Sequence, residues 1–420
     1  MKVVICILPI ICFLISMHKY KAWNNPYVIF NILWSVVGIL ILCGNKSVYT
    51  PSITAMLCVI TGIIGFNLSA LSRRIILGNR SVLNVKYMFN PRRAAIISTI
   101  VLIVSFFLSI DAIRSLLVGI SYSDIRNDYY TYDGEGSVLL YYFREYIIDP
   151  LRYVVIVSAI FAIFKKEYRS KLLILNASFC VLLQAVSNGG RYILMNTFFM
   201  IICGALILNC DVKLSLKQKM EIVFFGGILA YGLIFLTNSR ATYLMQNMTI
   251  GEKMFSTVYQ YFAGSITYLG EVIKNTPNIK GATYGVNFVA GWISPLFVIL
   301  NYIGILSYPQ VFSVIGTEAC KVLKIGENLY YNAMPTVFGY FYIDGGLVLT
   351  FIEAWIWGYI CKRLYTRAEN GNLLFTAVYI LMFLQICNAS TRWFLYSTGY
   401  CLAFIYMRLV FDREKFVEEE

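Results

Sequence analysis

Long apolar runs recur along this chain from end to end, and they constrain its fold more than any other feature. Runs of about 17 to 25 apolar residues are long enough to cross a hydrocarbon core about 30 Å thick. Charged residues make up only 14% of the chain, hydrophobic residues make up 59%, and the mean hydropathy is +0.69. This composition indicates an integral membrane protein rather than a soluble one.

The runs predict an all-α polytopic membrane protein with about eleven transmembrane helices, within a range of about eleven to fourteen. We expect one transmembrane domain over residues 1–420. A long extracytoplasmic segment, 239–336, lies between the eighth and ninth spans, and a second extracytoplasmic loop covers 111–149. The predicted spans are 1–17, 27–43, 51–71, 95–113, 150–164, 172–186, 192–210, 221–238, 337–361, 373–388 and 393–410.

Basic residues fix the expected orientation, because cytoplasmic loops carry the excess of Lys and Arg. The loops that follow the third, fifth and seventh spans are rich in these residues and are therefore assigned to the cytoplasm. The turn 188–191 and the segment 239–336 then face outward. The apolar run 286–306 is interrupted by Gly291, Pro295 and Asn301, and we interpret it as re-entrant, interfacial or half of a crossing pair.

Several classes of chemistry are excluded by what the sequence lacks. His18 is the only histidine and lies on a predicted cytoplasmic flank, so an extracytoplasmic Ser-His-Asp site is excluded. The sequence contains neither a P-loop nor a GxGxxG motif, and its cysteines show no metal-ligand spacing. The net charge of +13 is explained by contact of cytoplasmic loops with anionic lipid. We therefore predict no cofactor, no metal and no nucleic acid partner.

The turn Asn188-Gly189-Gly190-Arg191 lies between two apolar runs, where an arginine is costly. Glycines let the backbone approach a ligand closely, and a guanidinium offers a planar fork to phosphate or carboxylate oxygens. This turn is a candidate anion site. The alternative is an arginine that reaches the lipid headgroups or pairs with a carboxylate.

Other polar residues are expected on the same face. Arg240 and Arg392 lie at outer helix ends, and Arg126 lies in the loop after the fourth span, near Tyr129 and Tyr130. Tyrosine rings beside polar groups suit a sugar-binding cleft, although most interfacial tyrosines only anchor the protein in the membrane.

Two carboxylates interrupt the apolar run 337–361. Asp344 precedes Gly345 and Gly346 in the outer third of the span and is a candidate outward-facing base. Glu353 lies nine residues deeper, which on a straight helix is the opposite face, where we expect it to be paired within the bundle.

Taken together, these motifs resemble the Wzy-type oligosaccharide repeat-unit polymerases of O-antigen and capsule synthesis. The resemblance covers most of the chain. It rests on the hydropathy plan with its long outer segment, Ile125-Arg126, the 188–191 turn, Tyr284-Gly285, and the region from Asn332 to Tyr365, which includes Thr336, Gly339, Tyr342, Asp344, Gly345 and Gly346.

The resemblance implies a metal- and nucleotide-independent glycosyltransferase at the outer face of the bacterial cytoplasmic membrane. Donor and acceptor would be undecaprenyl-pyrophosphate-linked oligosaccharides, and a flippase and a chain-length regulator would be partners. Arg191 and Arg240 would stabilise the leaving pyrophosphate, helped by Arg126 or Arg392. Asp344, or as a second choice Glu271, would assist the acceptor hydroxyl. Substrate contacts would come from Asn188, Gly189, Gly190, Tyr129, Tyr130 and Tyr342.

Two other functions are compatible with the same features. A glycan-to-lipid ligase would use the same donor and the outer arginines, but such enzymes usually carry an outer histidine. A flippase or other transporter of lipid-linked oligosaccharide would show repeated halves, and the sequence contains no convincing internal repeat.

Overall fold

The computed structural model describes residues 1–45, 47–72, 86–120, 135–188, 192–208, 249–331 and 335–413. These residues are mostly helical. The helices are α1 (Lys2–Tyr20), α2 (Pro26–Cys43), α3 (Ile53–Leu68), α4 (Pro91–Leu117), α5 (Glu135–Phe143), α6 (Asp149–Phe164), α7 (Lys171–Ser187), α8 (Tyr192–Ile207), α9 (Ile250–Phe262), α10 (Gly264–Asn275), α11 (Val286–Tyr302), α12 (Val337–Glu369), α13 (Leu373–Cys387) and α14 (Thr398–Tyr406). The strands are β1 (Tyr87–Phe89), β2 (Leu323–Gly326), β3 (Leu329–Tyr331) and β4 (Phe411–Arg413).

Among the described residues, six helices are long and apolar enough to cross a membrane, and several shorter apolar helices accompany them. An apolar helix overlaps every predicted span except 221–238, which lies outside the described residues. The expected all-α membrane fold is confirmed in this coarse form. The number of crossings and their orientation stay predictions.

Contacts within the chain divide it into two compact units. The first contains Met1–Ile76, Thr237–Tyr365 and Gln385–Thr398. The second contains Leu77–Leu236, Thr366–Leu384 and Gly399–Glu420. The long segment predicted to be extracytoplasmic therefore belongs to the first unit, as do Asp344 and Arg392.

Aromatic side chains form much of the core of the first unit. Phe30 and Phe66 stack with ring centroids 3.9 Å apart, and Trp357 meets Phe66 edge-on at 4.8 Å. Each such pair contributes about 0.5–1.5 kcal/mol beyond the burial of its surface. A Cβ added to Gly65 would lie 2.5 Å from the carbonyl oxygen of Phe351, so α3 and α12 approach each other almost backbone to backbone.

The second unit contains a buried ion pair near the start of α6. The side chain of Arg152 is only 3% exposed, and its Nη1 lies 2.7 Å from Asp149 Oδ1. Its Nε donates to Ser105 Oγ on α4 at 3.2 Å. Because both contacts are within the unit, the charge of this arginine is compensated inside the protein.

The described part of the long segment, 249–331, is folded into helices and a small hairpin. Helix α9 begins with a capping box between Thr249 and Glu252, and β2 pairs with β3 in antiparallel register. Within the apolar run 286–306, residues Val286–Tyr302 form one continuous helix, α11, with Pro295 inside it. The interpretation of this run as re-entrant, interfacial or half of a crossing pair stays a prediction. The hairpin was not predicted from the sequence.

Candidate functional site

Helix α12 is broken at two consecutive glycines. Gly345 (φ −173°, ψ 33°) and Gly346 (φ 67°, ψ −155°) leave helical geometry, and the helix resumes after them. The conformation of Gly346 is essentially restricted to glycine. A Cβ at this position would also lie 2.5 Å from Lys280 Cε, so the Lys280 stem covers the break.

Asp344, the residue before the break, caps another helix. Its side chain is buried, and its Oδ1 accepts hydrogen bonds from Thr283 Oγ1 (2.5 Å) and the Asn287 backbone N–H (3.0 Å). Its Oδ2 accepts from the Phe288 N–H (3.0 Å). Helix α11 has Gly285 as its N-cap, which carries no side chain, so Asp344 supplies the capping oxygens from α12.

Glu353 meets Asp344 instead of facing away from it. The two carboxyl groups are in hydrogen-bond contact, and the Glu353 side chain is also buried. The prediction that they lie on opposite faces was therefore wrong. It assumed a straight helix, whereas the break at Gly345 and Gly346 turns the inner half of α12 so that Glu353 approaches the first turn of α11.

Arg392 lies in the turn between α13 and α14. Gln385 binds this turn at two nearby backbone groups, because its Nε2 donates to the Arg392 carbonyl (3.2 Å) and its Oε1 accepts from the Phe394 N–H (2.6 Å). The Arg392 guanidinium lies over the Phe394 ring, 4.4 Å from its centroid. Arg392 is therefore a half-buried cation held against an aromatic ring.

The folded segment 249–331 contacts the Arg392 turn at three points. Ser265 Oγ of α10 donates to the Ser390 carbonyl (2.5 Å), and Trp393 Nε1 donates to the Phe288 carbonyl (3.2 Å). The Tyr396 hydroxyl donates to the Phe312 carbonyl. Since the N–H of Phe288 binds Asp344, one residue of α11 connects the Asp344 and Arg392 regions.

Cys320 is a neighbour of Arg392 from the same segment. Burial raises the pKa of the Cys320 thiol to about 11, and the positive charge of Arg392 lowers that pKa in part. The Tyr268 hydroxyl of α10 fixes this stretch through the carbonyls of Ala319 (2.8 Å) and Lys321 (2.6 Å). Arg392 thus lies close enough to the stretch anchored by Tyr268 to influence Cys320 electrostatically.

Glu271 and Tyr342 differ in accessibility. The Glu271 side chain is 23% exposed on α10, and its Oε2 lies 3.9 Å from Lys274 Nζ. Tyr342 is buried in α12. The Glu271 carboxylate is therefore partly accessible to solvent, whereas the Asp344 carboxylate is enclosed.

The remaining expected site residues lie mostly outside the described residues. Asn188 ends α7, where its backbone N–H donates to the Gln184 carbonyl (3.1 Å). Outside the described residues are Arg126, Tyr129, Tyr130, Gly189, Gly190, Arg191 and Arg240.

Thr283 and Asn287 were not identified from the sequence. Asn287 Nδ2 donates to Thr283 Oγ1 (2.8 Å), which in turn donates to Asp344. The available sequence signal was two polar residues, four positions apart, on either side of Tyr284-Gly285. In the structure Tyr284 and Gly285 both have positive φ. Such spacing indicates a helix start, but it does not identify the carboxylate that caps it.

Within the described parts of the chain, no cluster of three or more His, Cys, Asp or Glu side chains could hold a metal ion. No known protein family model matches this chain, and neither a curated protein nor a solved structure matches it.

Proposed function

We propose that this protein is a polysaccharide polymerase that joins undecaprenyl-pyrophosphate-linked oligosaccharide repeat units at the outer face of the bacterial cytoplasmic membrane. The observation that carries the proposal is the environment of Arg392, a cation stacked on Phe394 in a turn that the 249–331 segment covers. The resemblance of the sequence to Wzy-type polymerases supplies the reaction.

The reaction releases a lipid pyrophosphate, so negative charge develops on the leaving oxygen. Fixed cations in a poorly hydrated site stabilise that charge more strongly than they would in water. Arg392 would act together with Arg191 and Arg240, with Arg126 assisting. The donor arrives already activated, so the reaction needs no nucleotide and no metal.

The acceptor hydroxyl needs a base with free lone pairs. Of the two expected carboxylates, Glu271 is the better candidate, because its side chain is partly exposed. Asp344 would instead act through α11, whose first turn it holds. Glu271 also lies on α10, the helix that binds the Arg392 turn through Ser265.

One observation favours the alternative of a transporter for lipid-linked oligosaccharide. A helix broken within an apolar span, with buried carboxyl groups beside the break, is a common arrangement in ion-coupled transporters. The two functions predict different intermediates in cells that lack the protein.

The test is to locate the lipid-linked repeat unit in such cells. A polymerase leaves single repeat units on the outer face, whereas a flippase leaves them inside. A ligase leaves full-length glycan on the carrier lipid. Accumulation inside, or of full-length carrier-linked glycan, would overturn the proposal.

Arginine variants test the mechanism. Arg191→Ala and Arg240→Ala should reach the membrane in normal amounts and make no long glycan. Arg363→Ala is the matched control, because Arg363 lies near Tyr359 in a stretch predicted to be cytoplasmic. Chains of normal length and amount from Arg191→Ala would contradict the central assignment.

A further inference from the structure

Glu353 presents a buried oxygen that the described residues leave without a hydrogen-bond partner. Its side chain is 5% exposed, and its Oε2 accepts no hydrogen bond from any described donor. Its Oε1 lies 3.9 Å from the position that a Cβ on Gly285 would occupy. The group in hydrogen-bond contact with Glu353 is the carboxyl of Asp344.

The two carboxyl groups are in unequal surroundings. Asp344 is 1% exposed and accepts hydrogen bonds from three donors, two of them backbone N–H groups at the positive end of α11. These donors stabilise a negative charge on Asp344. Glu353 receives no comparable compensation from the residues that the structure describes, and a second buried charge in contact with the first would be strongly unfavourable.

The other neighbours do not supply the missing compensation. Lys280, from the segment before α11, covers Gly346 with its stem, but its side chain is exposed. Cys58 of α3 faces Thr350, one turn before Glu353, and is neutral as a thiol. Thr283 and Asn287 are neutral and already bind Asp344 or each other.

We propose that Asp344 and Glu353 form a proton-binding site. One proton stays on Glu353 Oε2, and the resulting O–H group donates a hydrogen bond to the Asp344 carboxylate. A neutral Glu353 becomes a hydrogen-bond donor, which gives its orphaned oxygen a partner and leaves the Asp344 charge for the α11 amides. The site belongs to the break in α12 and does not depend on the reaction that the protein performs.

The bound proton stabilises the packing of the first turn of α11 against α12. Its loss places two negative charges in contact beside the first turn of α11, and repulsion between them weakens that contact. The folded protein holds at neutral pH a proton that Glu353 releases when the chain unfolds, so stability falls as pH rises.

The test uses the purified full-length protein in detergent. Infrared spectroscopy should detect the C=O stretch of a protonated carboxylic acid at neutral pH, and Glu353→Gln should remove it. Glu318→Gln is the control, because Glu318 pairs with Lys321 at the surface and should not contribute to this band. A band that persists in Glu353→Gln, or that is absent from the unsubstituted protein, would overturn the proposal.

Thermal unfolding provides the second measurement. Gln resembles a permanently protonated Glu and can donate to Asp344, so Glu353→Gln should unfold near the temperature of the unsubstituted protein and lose its decline with rising pH. Glu353→Ala should unfold at a lower temperature. If Glu353→Gln is as unstable as Glu353→Ala, the two carboxylates need both charges, as a bridging cation would require, and the proton assignment is wrong.

Discussion

Asp344 Oδ2 accepts a hydrogen bond from the backbone N–H of Phe288 at 3.0 Å, and this contact joins the broken helix α12 to the first turn of α11. The carbonyl of the same residue accepts from Trp393 Nε1. Phe288 therefore links the carboxylate of α12 to the residue that follows Arg392. A change at Asp344 should therefore alter the Arg392 turn through Phe288.

Asp344→Asn should destabilise the first unit. An amide in place of the carboxylate turns an N–H group toward one of the α11 amides and leaves that buried donor without an acceptor, which costs about 1–3 kcal/mol. Thermal unfolding and hydrogen exchange at the Asn287 and Phe288 amides measure the effect. The control is Asp412→Asn, which weakens an exposed ion pair with Arg93 (2.8 Å) and should cost about 1 kcal/mol or less. Unchanged exchange at both amides would contradict the capping role.

Gly346→Ala should lower the free energy of unfolding, mainly because Gly346 has a backbone conformation that residues with a side chain rarely adopt. The left-handed φ of 67° costs about 1–3 kcal/mol for a residue with a side chain. The new Cβ would also lie 2.5 Å from Lys280 Cε, but this atom is near the end of an exposed side chain that can move aside at little cost. Gly44→Ala is a matched control, because Gly44 has φ 68° and ψ 169° with nothing within 4 Å of an added Cβ.

A double variant separates the two costs at Gly346. Lys280→Ala removes the clashing stem, so Gly346→Ala with Lys280→Ala should recover the steric part of the loss and keep the conformational part. The unfolding temperatures of the unsubstituted protein, the two single variants and the double variant give the coupling between positions 280 and 346. A coupling energy larger than the conformational cost would mean that the Lys280 side chain is held rigidly over the break.

The sequence predicted the helical elements far better than their contacts. Run length identifies an apolar helix because each span needs about 20 apolar residues whatever its partners are. That is why α2, α4 and α13 coincide with predicted spans. The side on which Glu353 lies depends instead on the break at Gly345 and Gly346. Two glycines permit a break, but their presence in the sequence does not give its direction.

The same distinction applies to the candidate site. Arg392 and Asp344 could be selected from their residue types and their positions at helix ends. The helix cap that Asp344 provides could not be predicted from the sequence, because Thr283, Asn287 and Phe288 are more than fifty residues away from Asp344 in the chain. Long-range hydrogen bonds of this kind leave no periodic pattern in a single sequence.

The alkylation rate of the Cys320 thiol should depend on the positive charge of Arg392. Its pKa of about 11 means that the thiolate is a small fraction at neutral pH, so alkylation by iodoacetamide should accelerate about tenfold per pH unit below that value. Arg392→Gln removes the charge that lowers the pKa, and the reaction should become slower at every pH below 11. Peptide mass spectrometry follows Cys320 alone. Arg408→Gln, at an arginine that stacks on Tyr87 in the second unit, should leave the rate unchanged.

Arg392→Lys and Arg392→Gln together should distinguish charge from geometry at the proposed pyrophosphate site. Lysine keeps a positive charge but loses both the planar fork and the flat face that lies over Phe394 at 4.4 Å. If Arg392 binds the leaving pyrophosphate, Arg392→Gln should abolish long glycan chains and Arg392→Lys should retain partial synthesis, because a compact cation still offsets developing charge. The measurement is the glycan length distribution at equal protein levels in the membrane. Full synthesis by Arg392→Gln would remove Arg392 from the site, whereas equal loss in both variants would show that the fork or its stacking on Phe394 matters more than the charge.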